Sequence, residues 1–309
     1  MTTRLLLPAA LLLCGCGLRH HAVAPEPARG PARDSLFLLD QTRGDSVAAR
    51  GAIDGPLALL SPGVVFLRAG VPVVFGRDAA RTLFATSPAT GAHAWQPLGG
   101  GVSYDLRHGY TFGIAAHAPG STAIRLERYI AYWTRDRGQP WRIAAYAEVN
   151  GTPARDIEPV LTAEQLSPPS AVPLLRPMAD YVQSVRAADS LFSDLADRMG
   201  TGFAFANTAT DDGALFGPSQ LIVGPKAIDD YFRAQPPGTS LSWRPLYAVV
   251  AGSGDLAFTV GESIRTGRSA SGAAEQRFGK YLTVWSRQRD GTWKFVVDGG
   301  NPTPAKAER

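Results

Sequence analysis

Cysteine is nearly missing from this chain. Its 309 residues contain two, Cys14 and Cys16, so everything downstream folds without a disulfide or a thiolate ligand. Histidine is also scarce: there are five, and none lies beyond His117. A zinc or copper site built from the usual ligands is therefore excluded in the second half. His93, His108 and His117 lie too far apart for an HxH or HxxxH pair, and we expect no metal and no cofactor. Lysine is rare beside arginine, 4 against 27, with 27 acids and a formal charge of +4. No run of five like charges occurs, which argues against a nucleic-acid partner. There is no GxSxG, and Gly99-Gly100-Gly101 and Gly252-Ser253-Gly254 match neither a P-loop nor a dinucleotide fingerprint. What is plentiful is Gly (33) and Pro (24), and the mean hydropathy of −0.06 is that of a globular chain rich in turns.

The N-terminus reads MTTRLLLPAALLLCGCG. Arg4 precedes an apolar run, Leu5 to Leu13, that is too short to span a bilayer and fits a signal h-region. Leu13-Cys14-Gly15-Cys16 resembles the bacterial lipobox, which implies cleavage before Cys16 and lipidation of its sulfur. The alternative is an ordinary secreted protein. The expected location is the cell envelope, with the membrane reached through the N-terminal lipid. Residues 1–15 are then the signal and 16–33, rich in Pro, Ala and Arg, a flexible tether.

The strongest signal is long-range self-similarity. Asp34-Ser35-Leu36-Phe37 recurs as Asp189-Ser190-Leu191-Phe192, and Phe75-Gly76-Arg77-Asp78-Ala79 answers Val223-Gly224-Pro225-Lys226-Ala227. Trp95-Gln96-Pro97-Leu98 answers Trp243-Arg244-Pro245-Leu246, and the stretch Tyr129 to Arg135 answers Tyr281 to Arg287. Trp141-Arg142-Ile143 pairs with Trp293-Lys294-Phe295, and Asn150 to Ala154 with Asn301 to Ala305. The offsets, between 148 and 155, drift as small indels at turns require. This is a tandem duplication: a first domain over 34–155, a Pro-rich linker and helix start over 156–185, and a second domain over 186–309.

In the second copy, apolar Leu191, Phe192, Leu195 and Met199 predict a helix over Ala187 to Arg198, with Asp189 favourable to its dipole. A helical turn is read at Phe203 to Ala209, a turn at Asp211-Asp212-Gly213, a hairpin around Gly217-Pro218 and a helix over Lys226 to Ala234. Four strands follow over 240–250, 256–265, 276–287 and 292–298, joined by hairpin signals. Helices followed by a long antiparallel meander make an α+β plan.

The stretch Arg277 to Arg287, the Asp290-Gly291-Thr292-Trp293-Lys294 turn and the closing Asp298 to Pro304 resemble a SnoaL-like family of unknown function. That family falls within the nuclear-transport-factor-two-like and ketosteroid-isomerase-like superfamily. The resemblance covers about 186–304 and, through the repeat, 34–154. It implies two cone-shaped domains, each a curved antiparallel sheet over N-terminal helices enclosing a pocket. It also implies that they pack as an intrachain pseudo-dimer. The superfamily holds isomerases, cyclases, hydrolases and binding modules, so the fold leaves function open.

Carboxylates are the candidate chemistry. An isomerase-type site needs a carboxylate in an apolar cavity and a neutral donor beside it. Asp298 closes the apolar run Phe295-Val296-Val297, where an acid is costly unless paired; Glu262 is the weaker candidate. The second reading of Asp298 is a strand-end acid in a salt bridge. Across the final hairpin its partner is Tyr281 if Arg287 faces Thr292, and Lys280 one register shorter. Trp243, Tyr231, Trp285 and Trp293 are candidate pocket wall. Through the repeat Asp298 corresponds to Tyr146, Glu262 to Ile114, Lys280 to Arg128 and Tyr281 to Tyr129. No donor tyrosine stands in the predicted helix, so the sequence favours a non-catalytic pocket for a small apolar or amphipathic ligand. An isomerase-, cyclase- or hydrolase-like enzyme is the alternative, and a structural or interaction module the third.

Overall fold

A computed structural model of the chain describes residues 26–86, 92–117, 125–153, 177–217, 220–269 and 271–304. The signal, Cys16 and most of both the tether and the Pro-rich linker lie outside these residues.

The first unit runs α1 (Glu26–Leu57), β1 (Leu60–Leu67), β2 (Val74–Phe75), α2 (Arg77–Thr86), β3 (Ala92–Val102), β4 (His108–His117), β5 (Arg125–Thr134) and β6 (Arg142–Pro153). The second runs α3 (Met178–Met199), α4 (Thr201–Thr208), β7 (Ala209–Phe216), β8 (Leu221–Val223), α5 (Pro225–Arg233), β9 (Ser240–Val250), β10 (Leu256–Arg268), β11 (Ala274–Arg287) and β12 (Trp293–Pro302). The sheet orders, β2-β1-β6-β5-β4-β3 and β8-β7-β12-β11-β10-β9, are the same order displaced by six strands. In each, the first long strand lies parallel to the last and the remaining pairs are antiparallel. The result is a mixed α+β chain of two sheets, each with its helices on one face.

Several sequence expectations are corrected. Residues 26–33, read as tether, form the opening turns of α1. Pro31 lies inside this helix, and buried Arg29 lies 4.0 Å over the Tyr104 ring. Helix α3 begins at Met178, nine residues before the predicted start, because Tyr181 and Val185 extend its buried stripe. Leu191 and Met199, taken for core, are 64% and 58% exposed. Asp211-Asp212-Gly213 lies inside strand β7 and is not a turn. In α1 the helix breaks at Gly51, whose φ of 83° suits glycine, and a short helical segment follows to Leu57.

Among the described residues three cores form. One lies under the helices of the first unit, around Leu36, Phe66, Phe84, Tyr129, Trp133 and Trp141. A second fills the equivalent space in the second unit, around Phe192, Phe205, Trp285 and Phe295. The third belongs to both units: the outer faces of the two sheets pack together through Phe112, Tyr132, Phe216, Phe258, Leu282 and Val284. Rings from the two units meet there, with Tyr132 and Phe258 at 4.7 Å and Phe112 and Phe216 at 6.0 Å.

Hydrogen bonds pin both ends of this shared core. At one, the β3–β4 and β9–β10 turns carry the same Ser-x-Asp device: Ser103 Oγ donates to Asp105 and Ser253 Oγ to Asp255, each at 2.5 Å. The Asp255 carboxylate accepts the Tyr104 N–H at 3.1 Å, and Ser253 Oγ accepts the Asp105 N–H at 3.3 Å. At the other, the Asn301 amide donates to the carbonyls of Leu67 (3.1 Å) and Glu148 (2.5 Å). Among the described residues no helix is long and apolar enough to cross a membrane.

Candidate functional site

The second unit holds a cavity of about 450 Å³ between its helices and sheet. Phe192 of α3, Phe205 of α4, Tyr231 and Phe232 of α5, and Leu241 and Trp243 of β9 form its aromatic and aliphatic wall. Tyr281 of β11 and Asp298 of β12 supply polar groups from the sheet.

Asp298 is 8% exposed. Burial pushes its carboxyl up to about 7, the nearby Asp189 charge adds to the rise, and a hydrogen bond from the Thr283 hydroxyl opposes it. The predicted pairing of Asp298 with Tyr281 or Lys280 is overturned, because Asp298 sits directly across from Thr283. Two features displace the register. The hairpin closes on Arg287 opposite Trp293, and Val296 is an extra residue between the pairs Val284–Val297 and Trp285–Phe295. Such a bulge shifts every partner beyond it. Lys280 pairs with Asn301, and both also line the cavity. The Lys280 ammonium donates to the Pro302 carbonyl at 3.0 Å, and burial lowers it to about 8.

Tyr281 has another partner. Its hydroxyl donates to Asp189 Oδ2 at 2.8 Å, and the Trp243 indole N–H donates to Asp189 Oδ1 at 2.8 Å. Asp189 is wholly buried in the middle of α3. Burial raises its carboxyl to about 6, while bonds from Thr259, Tyr281 and Trp243 pull it down. By sequence alone this residue is a favourable charge at the helix dipole. The signal that would have found it is its place on the buried stripe Tyr181, Val185, Asp189, Phe192, Ala196, where an acid requires a partner.

Of the other expected site residues, Tyr231 and Trp243 line the cavity. Trp285 does not: it is fully buried core, its indole N–H held by Thr259 Oγ1 at 2.8 Å. Trp293 is likewise core, bonded to Ser184. Glu262 is spent in a salt bridge to Arg244 at 2.8 Å, with Arg244 67% exposed, and does not face the cavity.

The first unit repeats this constellation and closes it. The Tyr129 hydroxyl donates to Asp40 at 2.5 Å, as Tyr281 does to Asp189, and the Trp133 indole is held by Thr111 as Trp285 is by Thr259. Asp40 is therefore the counterpart of Asp189. Buried Leu36, Asp40 and Arg43 answer buried Val185, Asp189 and Phe192. The Asp34-Ser35-Leu36-Phe37 match is a coincidence of sequence, since Asp34 is 68% exposed. Where the second unit has Phe192, the first has Arg43. Its guanidinium lies 3.3 Å from Asp40, donates to the Tyr146 hydroxyl at 3.2 Å, and sits 4.5, 4.4 and 5.0 Å from the ring centres of Trp95, Tyr129 and Tyr146. About 70 Å³ of cavity remains there.

Each unit is an α+β unit with a six-stranded sheet of the same strand order. No family model matches the sequence, and no curated protein does. Among solved structures, a ketosteroid isomerase-like protein from Erwinia carotovora atroseptica is 20% identical, over 40% of this chain and 96% of its own (TM-score 0.35). A nuclear transport factor 2-like protein from Salmonella enterica is 13% identical, over 42% and 96% (TM-score 0.35). The association domain of a Caenorhabditis elegans calmodulin-dependent kinase is 17% identical, over 40% and 97% (TM-score 0.32).

Proposed function

We propose that the second unit binds a small apolar or amphipathic molecule in its cavity, and that the first unit is a filled copy serving as scaffold. The observation that carries this reading is the contrast between the two pockets. Trp243, Tyr281 and Asp298 line about 450 Å³ in one unit, whereas in the other the Arg43 side chain packs beside Trp95 and Tyr146 and about 70 Å³ remains. Pockets of several hundred Å³ with apolar walls and few polar groups are the ordinary form of small-molecule sites.

The test is native mass spectrometry of the mature chain, with extraction of any copurified molecule, followed by thermal-shift titration. A bound small molecule that Asp298→Asn releases supports the reading. A bare wild-type mass, with no thermal shift from any member of a chemically diverse panel, refutes it.

A second reading, an acid–base enzyme, is favoured by one observation: a carboxyl near 7 in an apolar cavity is poised for proton transfer at neutral pH. Exchange of ketone α-protons for deuterium, followed by NMR, separates the two. Exchange catalysed by wild type and lost in Asp298→Asn would establish turnover.

For location, we propose anchoring in a bacterial envelope through lipid at Cys16, supported by the Leu13-Cys14-Gly15-Cys16 motif. Membrane fractionation of Cys16→Ala tests it; undiminished sedimentation with membranes would end that proposal.

A further inference from the structure

We infer that the cavity of the second unit takes an amphipathic carboxylate, an organic acid whose anionic head sits at Arg265 and whose apolar body lies inward against the aromatic wall. The inference rests on the reading of this cavity as a binding site and specifies its ligand. It comes from the order of side chains along the sheet that floors the cavity. Thr283 on β11 pairs with Asp298, and β10 pairs with β11 without a bulge. Tyr281, Gly279 and Arg277 therefore follow Thr283 on one face, opposite Gly261, Ser263 and Arg265. The two ends of this floor differ. Asp298, 8% exposed, marks the inner end. Arg265 lies six residues along β10 from Thr259, the partner of Thr283, which is about 20 Å of strand. Half-buried Arg265, with Phe232 and Leu241, also lines an adjoining depression of about 310 Å³ whose wall includes exposed Met199 and Phe203. The guanidinium thus stands where the cavity meets the surface. Between the two ends the floor is low: a Cβ added at Gly279 would lie 2.8 Å from Ser263 Oγ.

Three cations line the cavity beside the single acid Asp298, and they are not equivalent. Arg277 is held by Glu275 through two hydrogen bonds, at 2.9 and 3.0 Å. Lys280 donates to the Pro302 carbonyl at 3.0 Å, and the Glu148 carboxylate acts on it. Arg265 meets no carboxylate among the described residues. Its guanidinium donates to the neutral Gln235 Oε1 at 2.8 Å, and its charge acts on the Tyr231 phenol. After that one bond a guanidinium keeps further N–H donors in a single plane, the fork that a carboxylate accepts. One positive charge without an acid beside it suits a singly charged head and not a phosphate dianion. Inward from Arg265 the walls are Tyr231, Phe232, Leu241 and Trp243, which offer apolar surface to the body of the ligand and no formal charge.

The experiment uses 4-phenylbutyrate as the anionic probe and 4-phenylbutyramide as its neutral isostere, titrated calorimetrically into the mature chain at about pH 6, where Asp298 holds its proton. The expected result is phenylbutyrate binding at least about tenfold tighter than the amide, a difference of about 1.4 kcal/mol. That preference should be lost in Arg265→Gln. It should persist in Arg244→Gln, which removes a 67% exposed cation outside the cavity. A preference lost equally in both variants would assign it to the overall positive charge and overturn the role of Arg265, as would a preference that Arg265→Gln retains. The amide binding as tightly as the acid would overturn the carboxylate assignment and leave the cavity reading standing. Absence of binding by both probes would overturn the assignment as well, and copurification would then decide on the cavity alone.

Discussion

Replacing Asp298 by asparagine should make the protein more stable at alkaline pH and leave it unchanged in acid. The carboxyl rises from 3.8 to about 7 on folding. Below about pH 4 it is protonated in both states and contributes nothing. Between about pH 4 and pH 7 the folded chain holds a proton that the unfolded chain releases, so stability falls as pH rises and the loss levels off above about pH 7. At about 1.4 kcal/mol per pKa unit, the full span corresponds to about 4 kcal/mol. Water entering from the cavity should return part of this, and we expect about 2 kcal/mol or more. Asparagine removes the ionisation while retaining an oxygen for Thr283. The neighbours of the carboxyl remain: the Asp189 charge that adds to the rise, and Tyr281 beside it. Urea unfolding of wild type and variant at about pH 4.5, 6 and 8 reads the difference directly. An equal offset at all three values would mean that only the hydrogen bond had changed. A variant less stable than wild type at pH 8 would refute the electrostatic argument altogether.

In the first unit, Arg43→Met should cost about 3–5 kcal/mol by leaving Asp40 buried without its partner; denaturant melts should show most of that recovered in the Arg43→Met, Asp40→Asn double variant. Asn301→Ala removes both amide hydrogen bonds to the first unit and should cost about 1–3 kcal/mol. Its calorimetric melt should remain one transition, because the two sheets share a core; two separated peaks would contradict that packing. Gly261→Ala would place a Cβ 2.2 Å from the Arg244 carbonyl and 2.3 Å from the Tyr281 hydroxyl. It should displace Tyr281 from Asp189 and weaken binding of a cavity ligand, an outcome that titration against wild type checks.

The strands were legible because alternation and hairpin signals are local: β9 falls on its predicted bounds, and β10 to β12 differ at their ends by a few residues. The paired order of the two sheets follows from the repeat. The helical alignment did not, because the matching tetrapeptides lie six residues out of phase with the structural alignment of Asp40 on Asp189. Only the bonds Tyr129–Asp40 and Tyr281–Asp189 fix which residues correspond. Asp298 was found as the acid closing an apolar run, but its partner was not. The Val296 bulge lies between Phe295 and Val297, and all three residues face apolar surroundings, so composition carries no mark of it. Asp189 was missed because an acid in a helix reads as solvent-exposed until something opposite donates to it.

Fusing the two units in one chain has a consequence for how the pockets could diverge. When identical subunits associate, a substitution appears in every copy, and an arginine that filled one chamber would fill its twin. Here the two sheets meet as partners do, yet each half is encoded separately. One chamber could acquire Arg43 and become solid support for the shared interface. The other could acquire the buried Asp298, exchanging stability for a vacancy that its neighbour helps to hold open.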